Sequence, residues 1–96
     1  MDIHVTDVPD ESRYEARDGD GTLLGISVYD VVDGTVAFTH TEVDEAVEGK
    51  GVASTLVRAA LDDVRGSGRR VAALCPYVKE WINRHPDYQD LLTTHP

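Results

Sequence analysis

Ninety-six residues, 41% of them hydrophobic, are enough for one domain with a packed core and no more. Nine basic against eighteen acidic side chains give a formal charge of −9, which argues against a nucleic-acid binder or a protein that docks on an anionic membrane. No apolar run approaches the ~20 residues of a spanning helix, the Met1-Asp2-Ile3-His4 start lacks the charge and apolar stretch of a signal peptide, and the single Cys75 excludes an internal disulfide or a cysteine zinc cluster.

In chain order, Ser12 to Arg17 is a short mixed segment with Tyr14 and Ala16 on one face, closed by the dense turn signal Asp18-Gly19-Asp20-Gly21. A calcium loop is not expected there, because Leu23 stands where such a loop needs glycine. From Thr22 to Val32, Leu24, Ile26 and Val28 alternate with Gly25, Ser27 and Tyr29, the period of a strand. Asp33-Gly34 then separates two strand-like runs, and both residues tolerate the positive φ of a tight hairpin. The run Thr35 to Val43 predicts one face with Val36, Phe38, His40 and Glu42, and another with Ala37, Thr39, Thr41 and Val43. Three antiparallel strands in a meander are expected.

The period then changes to that of a helix. Val52, Leu56, Ala60 and Val64 fall four apart, with Ala53, Val57 and Leu61 beside them, and Gly66-Ser67-Gly68 stops the run. Arg70 to Cys75 holds a short apolar run that predicts a buried, central strand. Pro76 suits the first position of a second helix, whose apolar side is Val78, Trp81 and Ile82 and which His85-Pro86 ends. A last helical turn is expected over 87–92. The order is β-β-β-α-β-α-α, an α/β (α+β) fold with a mostly antiparallel sheet in a single domain, residues 1–96, with a core from about 4 to 92.

The stretch Glu48-Gly49-Lys50-Gly51-Val52-Ala53 is the most informative. It opens the main helix, where the first N–H groups have no internal partner and the dipole favours an anion. Gly49 and Gly51 let backbone approach a ligand, and Lys50 adds a positive charge; a plain chain turn is the alternative. It matches neither a P-loop nor a dinucleotide fingerprint.

A strand ending in valine, an acidic loop and this segment resemble the acyl-CoA loop of the GNAT acetyltransferase superfamily, Gln/Arg-x-x-Gly-x-Gly/Ala. Gly51 and Ala53 match its last two defined positions, and Glu48 departs from it. With Phe38-Thr39-His40-Thr41-Glu42-Val43 before the loop, and Cys75-Pro76-Tyr77-Val78 and Asn83-Arg84-His85-Pro86 after it, the chain is similar to the small YjdJ-type branch. The resemblance implies a truncated GNAT fold. It implies pantetheine along Thr41, Glu42 and Val43, and a CoA-binding loop of Glu48, Gly49, Lys50, Gly51, Val52 and Ala53, with pyrophosphate on the N–H groups of about Gly49 through Ala53. It also implies acetyl-CoA as co-substrate and no metal.

In that branch the matching His40 and Cys75 are the catalytic candidates. His40 is a base of suitable chemistry or a half-buried histidine beside Phe38. Cys75, just before a helix N-terminus, is an acetyl carrier, a base or a small buried hydrophobe. Tyr77, at helical spacing from Trp81, reads as packing rather than as a proton donor. Lys79 and Arg84 read as solvated charges, and His4, His40, His85 and His95 are too dispersed for a zinc site. The expected function is an acetyl-CoA-dependent N-acetyltransferase of unknown acceptor, with a cationic amine favoured by the −9 charge. The alternatives are a CoA-binding module without turnover and an acidic protein-interaction domain. The expected setting is cytoplasmic, and the expected assembly a monomer.

Overall fold

A computed structural model describes residues 2–93. His95, one of the dispersed histidines, lies outside them. The elements are β1 (His4–Val8), β2 (Arg13–Arg17), β3 (Leu23–Val32), β4 (Thr35–Val43), α1 (Val52–Gly66), β5 (Arg70–Ala73) and α2 (Pro76–Arg84), with 3-10 turns at Pro9–Glu11, Glu45–Val47 and Pro86–Leu91. The strands form one sheet in chain order, antiparallel from β1 to β4, with β5 parallel to β4. The predicted mixed fold with a mostly antiparallel sheet is the observed one. Among the described residues no helix is long and apolar enough to cross a membrane.

Three local expectations change. The sheet begins one strand earlier, at His4–Val8. That edge strand leaves little of itself buried, so its sequence carries only a weak apolar period; it is held by register with β2 and by Tyr29 Oη donating to Asp7 Oδ1 at 2.6 Å. The terminal turn is 3-10 rather than α, over Pro86–Leu91, and it buries Tyr88 and Leu91. β5 is not central: it pairs with β4 on one side and meets only Leu92 on the other, and Leu74, read as part of its buried run, is 67% exposed.

The fourth change matters most for function. Val28 pairs with His40, but Tyr29 pairs with Phe38, so Thr39 is an extra residue in β4. A bulge of one residue moves every later side chain to the other face. Thr41 and Val43 therefore join Val36 and Phe38 on the side of the helices, whereas His40 and Glu42 point away and are exposed. The expected face of Val36, Phe38, His40 and Glu42 does not exist, and His40 is not half-buried beside Phe38.

Both helices sit on one face of the sheet. Tyr14 Oη donates to Asp63 of α1 at 2.7 Å, and Trp81 of α2 donates to Ser54 of α1 at 2.9 Å. α1 buries Val52, Leu56, Val57, Ala60, Leu61 and Val64, the apolar face that the spacing predicts. Each large side chain there contributes about 1.5–3 kcal/mol of transfer free energy. On β3 it is Gly25, Ser27 and Tyr29 that face the helices, while Ile26 and Val28 share the opposite face with Arg13, Glu15 and Arg17 of β2. Gly25 is required by crowding, since a Cβ would lie 2.8 Å from the Glu42 carbonyl oxygen.

Candidate active site

β4 and β5 stay paired only as far as Phe38 and Ala73. The Phe38 carbonyl accepts from both Leu74 N–H, at 3.0 Å, and Cys75 N–H, at 2.8 Å. Pro76 then starts α2 and carries the chain away, while β4 runs on to Val43 paired only with β3. The sheet is split at this point, and one wall of the gap is the second half of β4.

The other wall comes from the glycine loop. Asp44 accepts from Ala46 N–H at 2.9 Å and fixes the 3-10 turn Glu45–Val47. Gly49 and Gly51 follow at φ +80° and +81°, left-handed conformations that cost a side-chain-bearing residue about 1–2 kcal/mol. Nothing lies within 4 Å of a Cβ built on either, so conformation rather than crowding calls for glycine. Gly51 caps α1 with no side-chain bond, and the helix ladder begins with Thr55 N–H to the Gly51 carbonyl. The N–H groups of Val52, Ala53 and Ser54 precede that ladder, and these three residues line a cavity of about 460 Å3.

The cavity is lined by Thr41 and Val43 of β4, Val47, Glu48, Gly49 and Gly51 of the loop, Val52, Ala53 and Ser54 of α1, and Tyr77 of α2. Its size suits a small-molecule ligand, and the uncapped helix start gives it an anion-binding end. Most of the predicted binding residues meet here. Lys50 and Glu42 do not line it: Lys50 is exposed, and Glu42 lies beyond the bulge with His40, Nε2 to Oε2 3.5 Å.

Residues 13–91 match the model of a family described as GCN5-related N-acetyl-transferase. The chain belongs to that family. Among curated proteins it is similar to Protein NATD1 of Danio rerio (38% identity over 56 residues, 56% of this chain and 51% of that protein) and of Homo sapiens (35% over 51 residues, 53% and 45%). The chain spans about half the length of these curated relatives. Among solved structures, a GCN5-like protein of Staphylococcus aureus superposes with a TM-score of 0.73 at 22% identity, covering 97% of this chain and 90% of that one. An IAA acetyltransferase of Bacillus cereus gives 0.54 at 27% identity, covering 64% and 41%. Acetyl-CoA is the co-substrate the GNAT family uses.

The two catalytic candidates of this GNAT chain lie apart, neither of them on the cavity wall. His40 is on the far face of β4. Cys75 is 3% exposed, and its thiol donates to Thr41 Oγ1 at 3.5 Å. Thr41 Oγ1 also lies 3.0 Å from Ser27 Oγ, which is wholly buried.

Tyr77 is the residue that spacing alone misread. It is not a core residue but stands 41% exposed on the cavity wall, where burial pushes its phenol up against a smaller pull down from Arg84. The signal was present in the apolar stripe Val78, Trp81 and Ile82, which closes without it.

Trp81 instead stacks on His85, with ring centroids 3.7 Å apart, and sits under the Arg58 guanidinium. Between α1 and α2 a second groove of about 260 Å3 shares Ser54 and Tyr77 with the first and adds Glu80, Trp81, Arg84 and His85. Arg84 is not a free cation there, since it donates to Glu80 at 3.0 Å. Among the described residues no group of three or more His, Cys, Asp or Glu side chains could hold a metal ion.

Proposed function

We propose that this protein is an acetyl-CoA-dependent N-acetyltransferase of the small YjdJ-type branch that transfers the acetyl group directly to an amine. The observation that carries the reading is the cavity itself, which joins an uncapped helix N-terminus to a strand whose β5 side is open beyond Phe38. The pyrophosphate of CoA sits on the N–H groups from Gly49 to Ala53, with Lys50 adding charge at the rim. Pantetheine runs along Thr41, Glu42 and Val43, touching the side chains of the first and last and only the backbone of Glu42. The nucleoside end takes the groove between α1 and α2.

The acyl end then lies at the gap between β4 and β5. The acceptor approaches from the opposite face of the sheet, where the bulge has delivered His40 and Glu42. His40, steadied by Glu42, takes the ammonium proton of the acceptor. The Tyr77 phenol, protonated at neutral pH and pushed further up by burial, supplies a proton to the departing thiolate. Glu42 and the −9 charge favour a cationic amine. Cys75 is buried behind Thr41 and is not the acetyl carrier.

Thermal shift with CoA tests the site. At a ligand concentration of about 100 Kd, linkage adds about 2.7 kcal/mol, which for a domain this small raises Tm by roughly 10 °C or more. No shift at millimolar CoA defeats the reading. CoA release from acetyl-CoA with a panel of amines tests turnover, and binding without release on any amine reduces the protein to a CoA-binding module.

A further inference from the structure

We propose that the Thr41 hydroxyl is a catalytic group: a fixed hydrogen-bond donor to the thioester carbonyl oxygen, aimed into the cavity by two buried neighbours, Ser27 and Cys75. The inference rests on the reading of the cavity as the acetyl-CoA site.

It comes from counting hydrogens. Ser27 on β3 stands directly opposite Thr41 in register and is wholly buried. Its Oγ lies 3.0 Å from Thr41 Oγ1, and among the described residues its side chain has no other partner. Cys75, at the start of α2, is 3% exposed, and its thiol has Thr41 Oγ1 as its acceptor at 3.5 Å. A buried O–H without an acceptor is costly, more so than an acceptor with a vacant lone pair. Ser27 therefore donates to Thr41, as Cys75 does. A hydroxyl oxygen has two lone pairs, and both are then taken. Among the described residues the hydrogen of Thr41 then has no acceptor left, and Thr41 is the one member of the three that borders the cavity. The reverse orientation, Thr41 donating to Ser27, would strand the Ser27 hydrogen in the core.

Thr41 also stands at the correct end. The lining runs from the anion end at Glu48–Ala53, past Val43, to Thr41 beside the split between β4 and β5. In the reaction the amine lone pair forms a C–N bond to the carbonyl carbon, and the C=O π pair moves to oxygen. Thr41 donates to that oxyanion and keeps its own proton. When the C=O bond re-forms the C–S bond breaks, the CoA thiolate leaves and is protonated, and the nitrogen gives its proton to the base. The products are the N-acetyl amine and CoA. Ser27 and Cys75 act through Thr41 and are positioning residues.

Thr41→Val removes the hydroxyl at constant shape, and Thr41→Ser keeps it. With CoA affinity followed by calorimetry as the control for folding and binding, Thr41→Val should lower kcat about 10- to 100-fold with KM for acetyl-CoA within about twofold, and Thr41→Ser should restore most of the loss. Two readouts do not need turnover. The infrared carbonyl band of bound, carbon-13-labelled acetyl-CoA should move to higher frequency in Thr41→Val and broaden in Ser27→Ala. The S–H band, unambiguous because Cys75 is the chain's one cysteine, should move to higher frequency in Thr41→Val. A Thr41→Val protein that binds CoA with an unshifted carbonyl band overturns the inference and leaves the site reading intact. A hydroxylamine-labile acetyl adduct on wild-type protein that Cys75→Ala abolishes also overturns it. Failure of wild type to bind CoA overturns the site reading instead, while an unmoved S–H band in Thr41→Val would still refute the hydrogen count.

Discussion

Replacing Gly51 by alanine separates backbone strain from ligand binding when it is compared with Gly34→Ala. Both glycines are left-handed, at φ +81° and +78°, and neither has any atom within 4 Å of the position a Cβ would take. Alanine therefore meets no clash at either site, and only conformation is penalised. Left-handed backbone costs alanine about 1–2 kcal/mol, and the smaller freedom of the unfolded chain returns about 0.4–1 kcal/mol. The net loss is about 1 kcal/mol in each variant, a fall in Tm of about 4–8 °C. The two sites differ in what surrounds them. Gly34 turns the β3–β4 hairpin, away from the cavity, whereas Gly51 caps α1 and lines it. A methyl group there stands where pyrophosphate must approach the helix N–H groups, so Gly51→Ala should weaken CoA about tenfold, or about 1.4 kcal/mol. Gly34→Ala should bind CoA as wild type does. Differential scanning calorimetry and isothermal titration measure the two quantities separately. Equal CoA affinity in all three proteins would show that the anion end is not at this loop. An unmoved Tm in both variants would refute the backbone argument.

Glu48→Arg puts a cation on the cavity wall in place of a carboxylate and should tighten CoA about five- to tenfold, with the gain shrinking as salt rises. Glu15 lies under Arg13 and Arg17, which hold its carboxyl below the usual carboxylate range. Its contribution is therefore present above the unfolded pKa of about 4.3 and is lost as pH falls through the lower folded value. Urea unfolding should find Glu15→Gln less stable than wild type at pH 7, with the difference fading in acid; a constant difference across that range would refute the pairing. Burial and the Asp7 carboxylate push the Tyr29 phenol up to about 12, so stability should decline as pH rises from about 10 toward 12. Tyr29→Phe should flatten that decline in unfolding experiments. With eighteen acidic against nine basic side chains, added salt should raise Tm by screening repulsion, and a fall over the first few hundred millimolar would contradict it.

The geometry of the glycine loop was legible in the sequence because it is local. Two glycines, a lysine and a helix start within six residues determine a positive-φ cap and a set of free N–H groups, whatever packs around them. The main helix was legible for the same reason, since six of its apolar positions repeat with one period and all six are buried. So was the Asp33-Gly34 hairpin, whose residues take the φ of 51° and 78° that the turn requires. The β4 end of the cavity was not legible. Alternation along β4 put His40 beside Phe38, and one bulged residue, Thr39, reversed that and brought Thr41 to the cavity instead. Nothing in the spacing of β4 marks the bulge, because it arises from how β4 must pair with β3. Nor does local sequence show that Ser27, Thr41 and Cys75, from two strands and a helix start, share hydrogen bonds, or that Tyr77 turns from the core to the cavity. Periodicity and turn chemistry are properties of neighbouring residues, so the sequence by itself determined the helices, the hairpin and the glycine loop. Register and the side of the sheet on which each group emerges depend on contacts between distant segments, and only the tertiary structure decided them.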